Sequence, residues 1–377
     1  MKAKSIKGKT ADEIKSAIDT AILDGFKPTL AVVFISVPSE LDAIRKMLSE
    51  RGIVIFGSSS GSEFVDGDVE TGSIVILLLD LDSNKFSIRL IESGSDTTTA
   101  IAEQIGKAGT STFRKPAFII VSGGLRTDGD EIVEGTEKGA GKGTTIFGGL
   151  AADSLKMERT FVFTNNILTD KGLLALILDE EKVSIKGIAI GGWRPVGMDR
   201  IITRSDGNIV YTIDNEPALD FIARYSGIKN FEAENETDFL LSSNFQLQLQ
   251  RTNKHPVMRV PMQANKLDHS IAFAGALPQG SKVRLCLLPG FEVIEESLRQ
   301  FAEYKNEQPE TDAMLMFSCA GRQLTLGPYV SDEINGVKKI WDVPMAGFFC
   351  YGEIGRMENE KHEFHNMTCS LAMFKEK

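Results

Sequence analysis

Three times along this chain an apolar strand runs into a small polar loop, crosses a helix-like stretch, and returns as a second strand ending in small residues and an acid. The copies read VVFISVPSE…IVIFGSSSGSE, FIIVSGGLR…TTIFGGLAAD and LMFSCAGR…VPMAGFFCYGE. A further apolar strand follows each: SIVILLLD, GLLALILD and TCSLAMF. Such runs, bounded by turn residues, suit strands buried on both faces. Strand–helix–strand units set among hairpins predict an α/β protein with mixed sheets flanked by helices. In such folds ligands bind where polar loops leave buried strands. The pattern places Ser36, Ser122 and Ser318 at equivalent strand ends, and Glu63, Asp153 and Glu353 at equivalent loop ends. The copies diverge too far for a solenoid, which needs regular short periods.

Between these motifs the periodicity is helical. Thr10 and an acidic first turn precede Ile14, Ile18, Ala21 and Ile22 at helical spacing. Residues 40–50 carry Leu41, Ile44, Met47 and Leu48 on one face. A helix is expected near 97–107. In the second copy, TDGDEIVEGTEKGAGKG predicts a poor helix because glycines interrupt it. SIVILLLD and FSIRLIES, joined at DSNK, read as a hairpin. So do FVFTN and NILTDKGLLALILD, with DK at the tip, and the DG of RSDGN marks another hairpin turn. At Pro217 the pattern changes to a short helix, PALDFIARYSG, and then to the acidic, hydrophobe-poor stretch 228–238. A division into residues 1–216 and 217–377 is expected there.

Composition narrows the function classes. A chain of 377 residues, 42% apolar and 25% charged, is ordinary for a globular protein of two to three domains. Its net charge of −10 disfavours general nucleic-acid binding, which needs a basic surface. The N-terminus has lysines but no apolar core for a signal peptide, and no apolar run approaches a membrane span. Cys286, Cys319, Cys350 and Cys369 form no Cys-x-x-Cys pair, which suits a reduced, cytoplasmic protein.

Several motifs invite chemistry and fail its template. GAGKGTT at 139–145 lacks the Walker spacing and runs toward a strand rather than into a helix. His362-x-x-His365 could seat a metal on a helix, but its surroundings read as a surface turn leading into a strand, so no metal site is expected. Ser59 lies in a literal Gly-x-Ser-x-Gly, yet no helix follows and the first histidine is His255. Glu63 and Glu353 could serve as paired acid and base. More pointed is Arg322, after Ser318-Cys319-Ala320-Gly321. A guanidinium there suits a carboxylate, and Glu353 suits an ammonium, so together they suit a zwitterion such as an amino acid. The plain alternative is that Arg322 and Glu353 pair with each other.

With these residues in view the chain resembles the FIST family of bacterial sensory domains. Gly57-Ser58-Ser59-Ser60-Gly61-Ser62-Glu63 stands where the family shows Gly-Cys-Ser-Thr-x-Gly-Glu, departing at Ser58 and Ser62. Gly148-Gly149-Leu150-Ala151-Ala152-Asp153 matches its Gly-Gly-x-Ala-x-Asp loop. HPVMRVP, AGALPQGSKVRL, FSCAGR, PMAGFFCYGEIG and the His365-Asn366-x-Thr368 ending follow in the C-terminal part. The resemblance runs from about residue 28 to 374. It implies a small-ligand sensor, with amino acids as the ligand class, signalling through a separate partner protein or by oligomerisation.

The expectation is therefore a cytoplasmic ligand-binding sensory protein with no catalysis, no cofactor, no nucleic-acid partner and no membrane insertion. Arg322 and Glu353 should touch the ligand, with Cys319, Tyr351, His365 and Asn366 nearby. Ser59, Ser60, Glu63, Arg126 and Asp153 form a second tier. One alternative is a hydrolase built on Ser59 or a carboxylate acid/base enzyme. Another is a scaffold that binds only protein, with no enclosed polar pocket near the 318–322 and 347–353 loops.

Overall fold

A computed structural model describes residues 1–125, 127–226, 245–286, 290 and 292–377. It is α/β, with mixed sheets flanked by helices. The repeat is longer than the sequence motif shows. Each copy begins with a strand, Lys2–Gly8, Phe86–Glu92 or Val183–Ile190. A helix follows: Ala11–Ala21, Thr98–Thr112 or Glu292–Glu307. Then come two parallel strands around a second helical segment. These are Leu30–Ile35 with Val54–Ser59, Pro116–Gly123 with Thr145–Leu150, and Ala313–Cys319 with Met345–Cys350. A short hairpin and a last strand, Ile74–Asp80, Gly172–Asp179 or Cys369–Glu376, complete the copy.

The last strand lies antiparallel between the copy's first strand and its parallel pair. The hairpin pairs elsewhere. Glu63–Val65 of the first copy joins the third copy's sheet beside Met345–Cys350. Glu353–Arg356 of the third joins the second copy's sheet beside Thr145–Leu150. Val162–Phe163 of the second joins the first copy's sheet beside Val54–Ser59. The three sheets thus exchange hairpins in a cycle, and each receives an edge it does not encode itself.

Alternate residues explain why the strands read as unbroken apolar runs. Val75, Leu77 and Leu79 face a central core shared by all three sheets, with Ile119, Leu174, Leu315 and Phe348. Ile74, Ile76 and Leu78 face outward onto the first copy's helices. The other two sheets bury their outer faces in the same way. Each buried Leu or Ile side chain contributes about 1.5–3 kcal/mol, so a strand covered on both sides gains nothing from a polar position.

Local signals set the helices. Thr10 accepts the Glu13 N–H and caps the first helix, and Asp128 does the same for Gly129–Ala140. That second helix is whole, contrary to its glycine content. A Cβ on Gly135 or Gly139 would strike the Thr99 or Glu103 carbonyl, and one on Gly106 would strike that of Thr136. The glycines let two helices touch at the backbone, and packing overrides propensity. GAGKGTT is the exit of this helix into strand Thr145–Leu150.

Two expected hairpins are corrected. DSNK joins no hairpin: Ile74–Asp80 pairs with Lys2–Gly8 and Leu30–Ile35, whereas Phe86–Glu92 pairs with Gly172–Asp179 in the next sheet. This linker passes from one copy to the next. The second-copy hairpin turns between Phe163 and Leu168 rather than at Asp170-Lys171. The hairpin at RSDGN forms as expected, between Pro195–Asp206 and Ile209–Ile213.

The third copy is interrupted after its first strand. The described residues between 195 and 286 form a separate antiparallel sheet with its own core, including Phe221, Leu247 and Phe273. Residue 216 falls in this inserted unit, where Glu216–Pro217 pairs with Ile209–Ile213. Ladders also cross the 216/217 division, since Val183–Ile190 pairs with Cys369–Glu376. The acidic stretch 228–238 lies outside the described residues.

Candidate functional site

The exchange of hairpins decides where the acids lie. Glu63 and Glu353 occupy the same register position, opposite Phe348 and Gly149 of the strands they join. Both are fully buried. Glu63 accepts hydrogen bonds from Ser36 (3.0 Å), Ser73 (2.6 Å) and Ser60. Glu353 accepts from the Thr368 N–H (3.1 Å), the Thr368 hydroxyl (2.9 Å) and the Cys350 thiol (3.3 Å). The donors correspond. The ladders align Ser36 with Cys319, Ser60 with Cys350, and Ser73 with Thr368. Burial raises the Glu63 carboxyl to about 7 against the pull of its serines, and Glu353 to about 8 against that of Thr368. Burial likewise pushes the Cys319 thiol up to about 12.

The second copy lacks the whole set. Val162 stands opposite Ser58, in the position of the two glutamates. The donor positions are Gly123, Ala151 and Gly172. Asp153, expected as the equivalent acid, closes its own longer loop instead. It accepts N–H groups from Met157 (3.0 Å), Glu158 (2.7 Å) and Arg159 (2.9 Å), and the Tyr351 hydroxyl. Ser122 and Ser318 align with Ile35 rather than with Ser36.

Arg322 does not meet Glu353. Its guanidinium is fully buried and grips Glu333, with Nε donating to Oε2 at 2.8 Å and Nη2 to Oε1. Nη1 donates to the carbonyls of Gly191 (2.7 Å) and Met367 (3.2 Å), and Nη2 to Ser297 Oγ (2.8 Å). Burial opposes the Glu333 charge, but the guanidinium holds its carboxyl below the usual range. Every N–H of Arg322 is engaged in the interior, so this arginine is a strut. Glu333 was missed by sequence reasoning, although it sits on an otherwise apolar helix face with Val330, Ile334 and Val337.

The remaining expected residues separate. Ser59 Oγ donates to the Ala152 carbonyl (3.0 Å) and accepts the Phe161 N–H (2.9 Å), so it staples backbone rather than meeting a base. The three acid loops do converge, with Ala152 N–H on Ser59 O, Tyr351 N–H on Leu150 O, and Phe349 N–H on Ser62 O. They seal one another. His362 and His365 lie in a strand, not a surface turn. His365 is 1% exposed, and burial lowers its pKa to about 4 and that of His362 to about 3, so both imidazoles are neutral. Asn366 donates to the His365 carbonyl. Arg126 lies outside the described residues. Among the described residues no cluster of three His, Cys, Asp or Glu side chains could hold a metal.

What Arg322 and Glu353 support is a cavity of about 440 Å³ between the third copy and the inserted sheet. Gly191, Trp193 and Arg194 line it from the loop after the first strand, Glu307 from the helix, and Thr368 from the residue just before the last strand. Arg322 holds the Gly191 carbonyl and that helix through Ser297, and Glu353 holds Thr368. Trp193 Nε1 donates to the same Met367 carbonyl at 2.6 Å. The two residues expected to touch the ligand therefore stand behind the cavity wall and tie three of its sides together. Arg194, Glu307 and Glu358, all on the wall, make no ion pair with a described residue.

Sequence models match the FIST N domain over residues 29–216 and the FIST C domain over 218–356. An uncharacterized protein of Mycobacterium tuberculosis is 26% identical over 245 residues, 62% of this chain and 61% of the relative. Another, of Mycobacterium bovis, is 22% identical over 246 residues, with the same coverage. The chain thus matches about three-fifths of the length of these relatives. No described helix is long and apolar enough to cross a membrane.

Proposed function

The chain belongs to the FIST family, whose members are sensory rather than enzymatic and are thought to bind small ligands in signal transduction, and from that premise we propose that it binds an amino acid or a similar small zwitterion without transforming it. The observation that carries this reading is the 440 Å³ cavity with uncommitted charges of both signs on its wall. Arg194 suits the carboxylate, and Glu307 or Glu358 the ammonium. Small-molecule cavities commonly run from about 300 to 1,000 Å³, which leaves room for an amino acid and some water. The signal would pass to a separate partner protein. The four cysteines, all free and buried, fit a cytoplasmic setting.

A ligand that binds only the folded protein raises its melting temperature by mass action. A thermal-shift screen of amino acids and small carboxylates at millimolar concentration should give at least one shift, and Arg194→Ala should remove it. No shift from any of them, or one that survives Arg194→Ala, ends the zwitterion reading. The hydrolase alternative is disfavoured by the backbone partners of Ser59, and the scaffold alternative by the cavity beside Thr368.

A further inference from the structure

We propose that Met258, Cys286, Cys319 and Met367 form a site for a soft monovalent cation, Cu(I), where the inserted sheet meets the third copy. The four side chains are buried and pack in one cluster with Trp193. Met258 and Cys286 come from two strands of the inserted sheet, Val257–Arg259 and Lys282–Cys286. Cys319 ends the strand Ala313–Cys319, and Met367 lies just before Cys369–Glu376. Cys286 Sγ is 3.8 Å from Met258 Sδ, and Cys319 Sγ is 3.9 Å from Met367 Sδ. Two sulfurs bound at about 2.3 Å to one ion, at a tetrahedral angle, lie roughly 3.8 Å apart. Each pair therefore has the spacing of two ligands on one cation.

The backbone at Met367 is a second, independent observation. Its φ is 60°, in the left-handed region that favours glycine. The matching residue of the first copy is Gly72, with φ 71°, because Met367 precedes Thr368 as Gly72 precedes Ser73. A glycine suffices for this turn, yet the third copy keeps a fully buried methionine there against the preference of the backbone. Cys319 likewise stands where the first copy has Ser36 and the second Gly123. Gly321 keeps the space beside both sulfurs free of a side chain, since a Cβ there would lie 2.9 Å from Met367 Sδ and 3.6 Å from Cys319 Sγ. This pair of sulfurs belongs to the copy that the inserted sheet covers.

The donors select the cation. Thiolate and thioether sulfur favour soft ions, and Cu(I) is the soft monovalent one. A Cu(I) that displaces one thiol proton leaves the net charge of the buried cluster unchanged. Zn(II) would have to displace both protons to do the same, and its closed sites use Cys and His rather than thioether. Met258 and Trp193 also stand on the wall of the 440 Å³ cavity, which gives the cation its way in. Once bound, it would fasten the inserted sheet to the third copy.

Anaerobic titration of the full chain with Cu(I), against bicinchoninate as competing chelator, should show one Cu(I) retained per protein. Met258→Leu and Met367→Leu keep the side-chain bulk and remove the sulfur, and each should weaken retention at least tenfold. If Met367→Leu does not fold, Met258→Leu carries the same test. The chain has two tryptophans, Trp193 and Trp341, so Cu(I) should quench part of the emission, and Trp193→Phe should abolish that quenching. One equivalent of Zn(II) should displace no Cu(I). No amino acid is present, so the outcome is independent of the zwitterion reading. Loss of all Cu(I) to the chelator, retention unchanged in a folded methionine variant, or displacement by Zn(II) would each overturn the proposal.

Discussion

Arg322 and Glu333 form a fully buried ion pair whose guanidinium also carries the Gly191 and Met367 carbonyls and Ser297 Oγ. It joins three helices, Glu292–Glu307, Ala320–Leu326 and Val330–Trp341, to the loops that follow the first strand and precede the last strand of the third copy. Removing one partner leaves a charge without compensation in the interior, which costs about 3 to 5 kcal/mol. Arg322→Met and Glu333→Leu should each lose about that much in urea denaturation. The double variant should recover much of it, because neither charge then remains. Single variants within 1 kcal/mol of the parent in such a titration would refute the strut.

Glu63 and Glu353 predict a pH dependence of definite sign. Their folded pKa values, about 7 and about 8, lie above the unfolded value near 4.5. The folded protein therefore holds protons that the unfolded chain releases. Their contribution to stability is complete below pH 4.5 and is lost as pH rises through 7 and then 8. The melting temperature should fall from about pH 4.5 up to about pH 8, and Glu63→Gln should flatten the part of that fall below pH 7. Identical slopes for parent and variant would refute this assignment.

The helix crossing of the second copy predicts an asymmetry among glycines. Gly139→Ala would set a methyl against the Glu103 carbonyl and should cost about 1 to 3 kcal/mol, although alanine is the better helix former. Lys138→Ala, on an exposed position of the same helix, should change stability by less than about 0.5 kcal/mol. Equal effects in thermal denaturation would mean that the helices do not touch there.

The division at 216/217 is open to a direct trial. We propose it as a boundary between two sequence domains whose sheets complete one another. Residues 1–216 alone leave Val183–Ile190 without its partner Cys369–Glu376, and Glu63–Val65 without Met345–Cys350. Expressed alone, this half should aggregate, and co-expression with 217–377 should return a soluble pair. A monomeric, cooperatively melting 1–216 fragment would contradict that dependence.

The repeat and its strands were legible because residues buried on both faces leave unbroken apolar runs. Helix caps such as Thr10 were legible for an equally local reason. The exchange of hairpins was not, since Glu63–Val65 carries no mark of the distant strand it joins. The DSNK turn misled because a linker between sheets has the same composition as a hairpin tip. At the candidate site, the sequence singled out Arg322 and Glu353 but not their depth. A guanidinium after small residues reads alike whether it faces a ligand or a buried Glu333. Thr368 was visible in the motif ending at residue 368, and Ser73 stands before its last strand in the same way, a correspondence that aligning the copies could have shown.

Cyclic hairpin exchange also imposes an order on synthesis. Glu63–Val65 leaves the ribosome well ahead of its partner strand Met345–Cys350. At about 5–20 residues per second, the early hairpin waits roughly 15 to 60 s for that partner. The first sheet is likewise unfinished until Val162–Phe163 arrives, and the second until Glu353–Arg356 does. The first and second copies each wait for a hairpin made after them and the third waits for none, so all three sheets are closed only once Glu353–Arg356 has emerged.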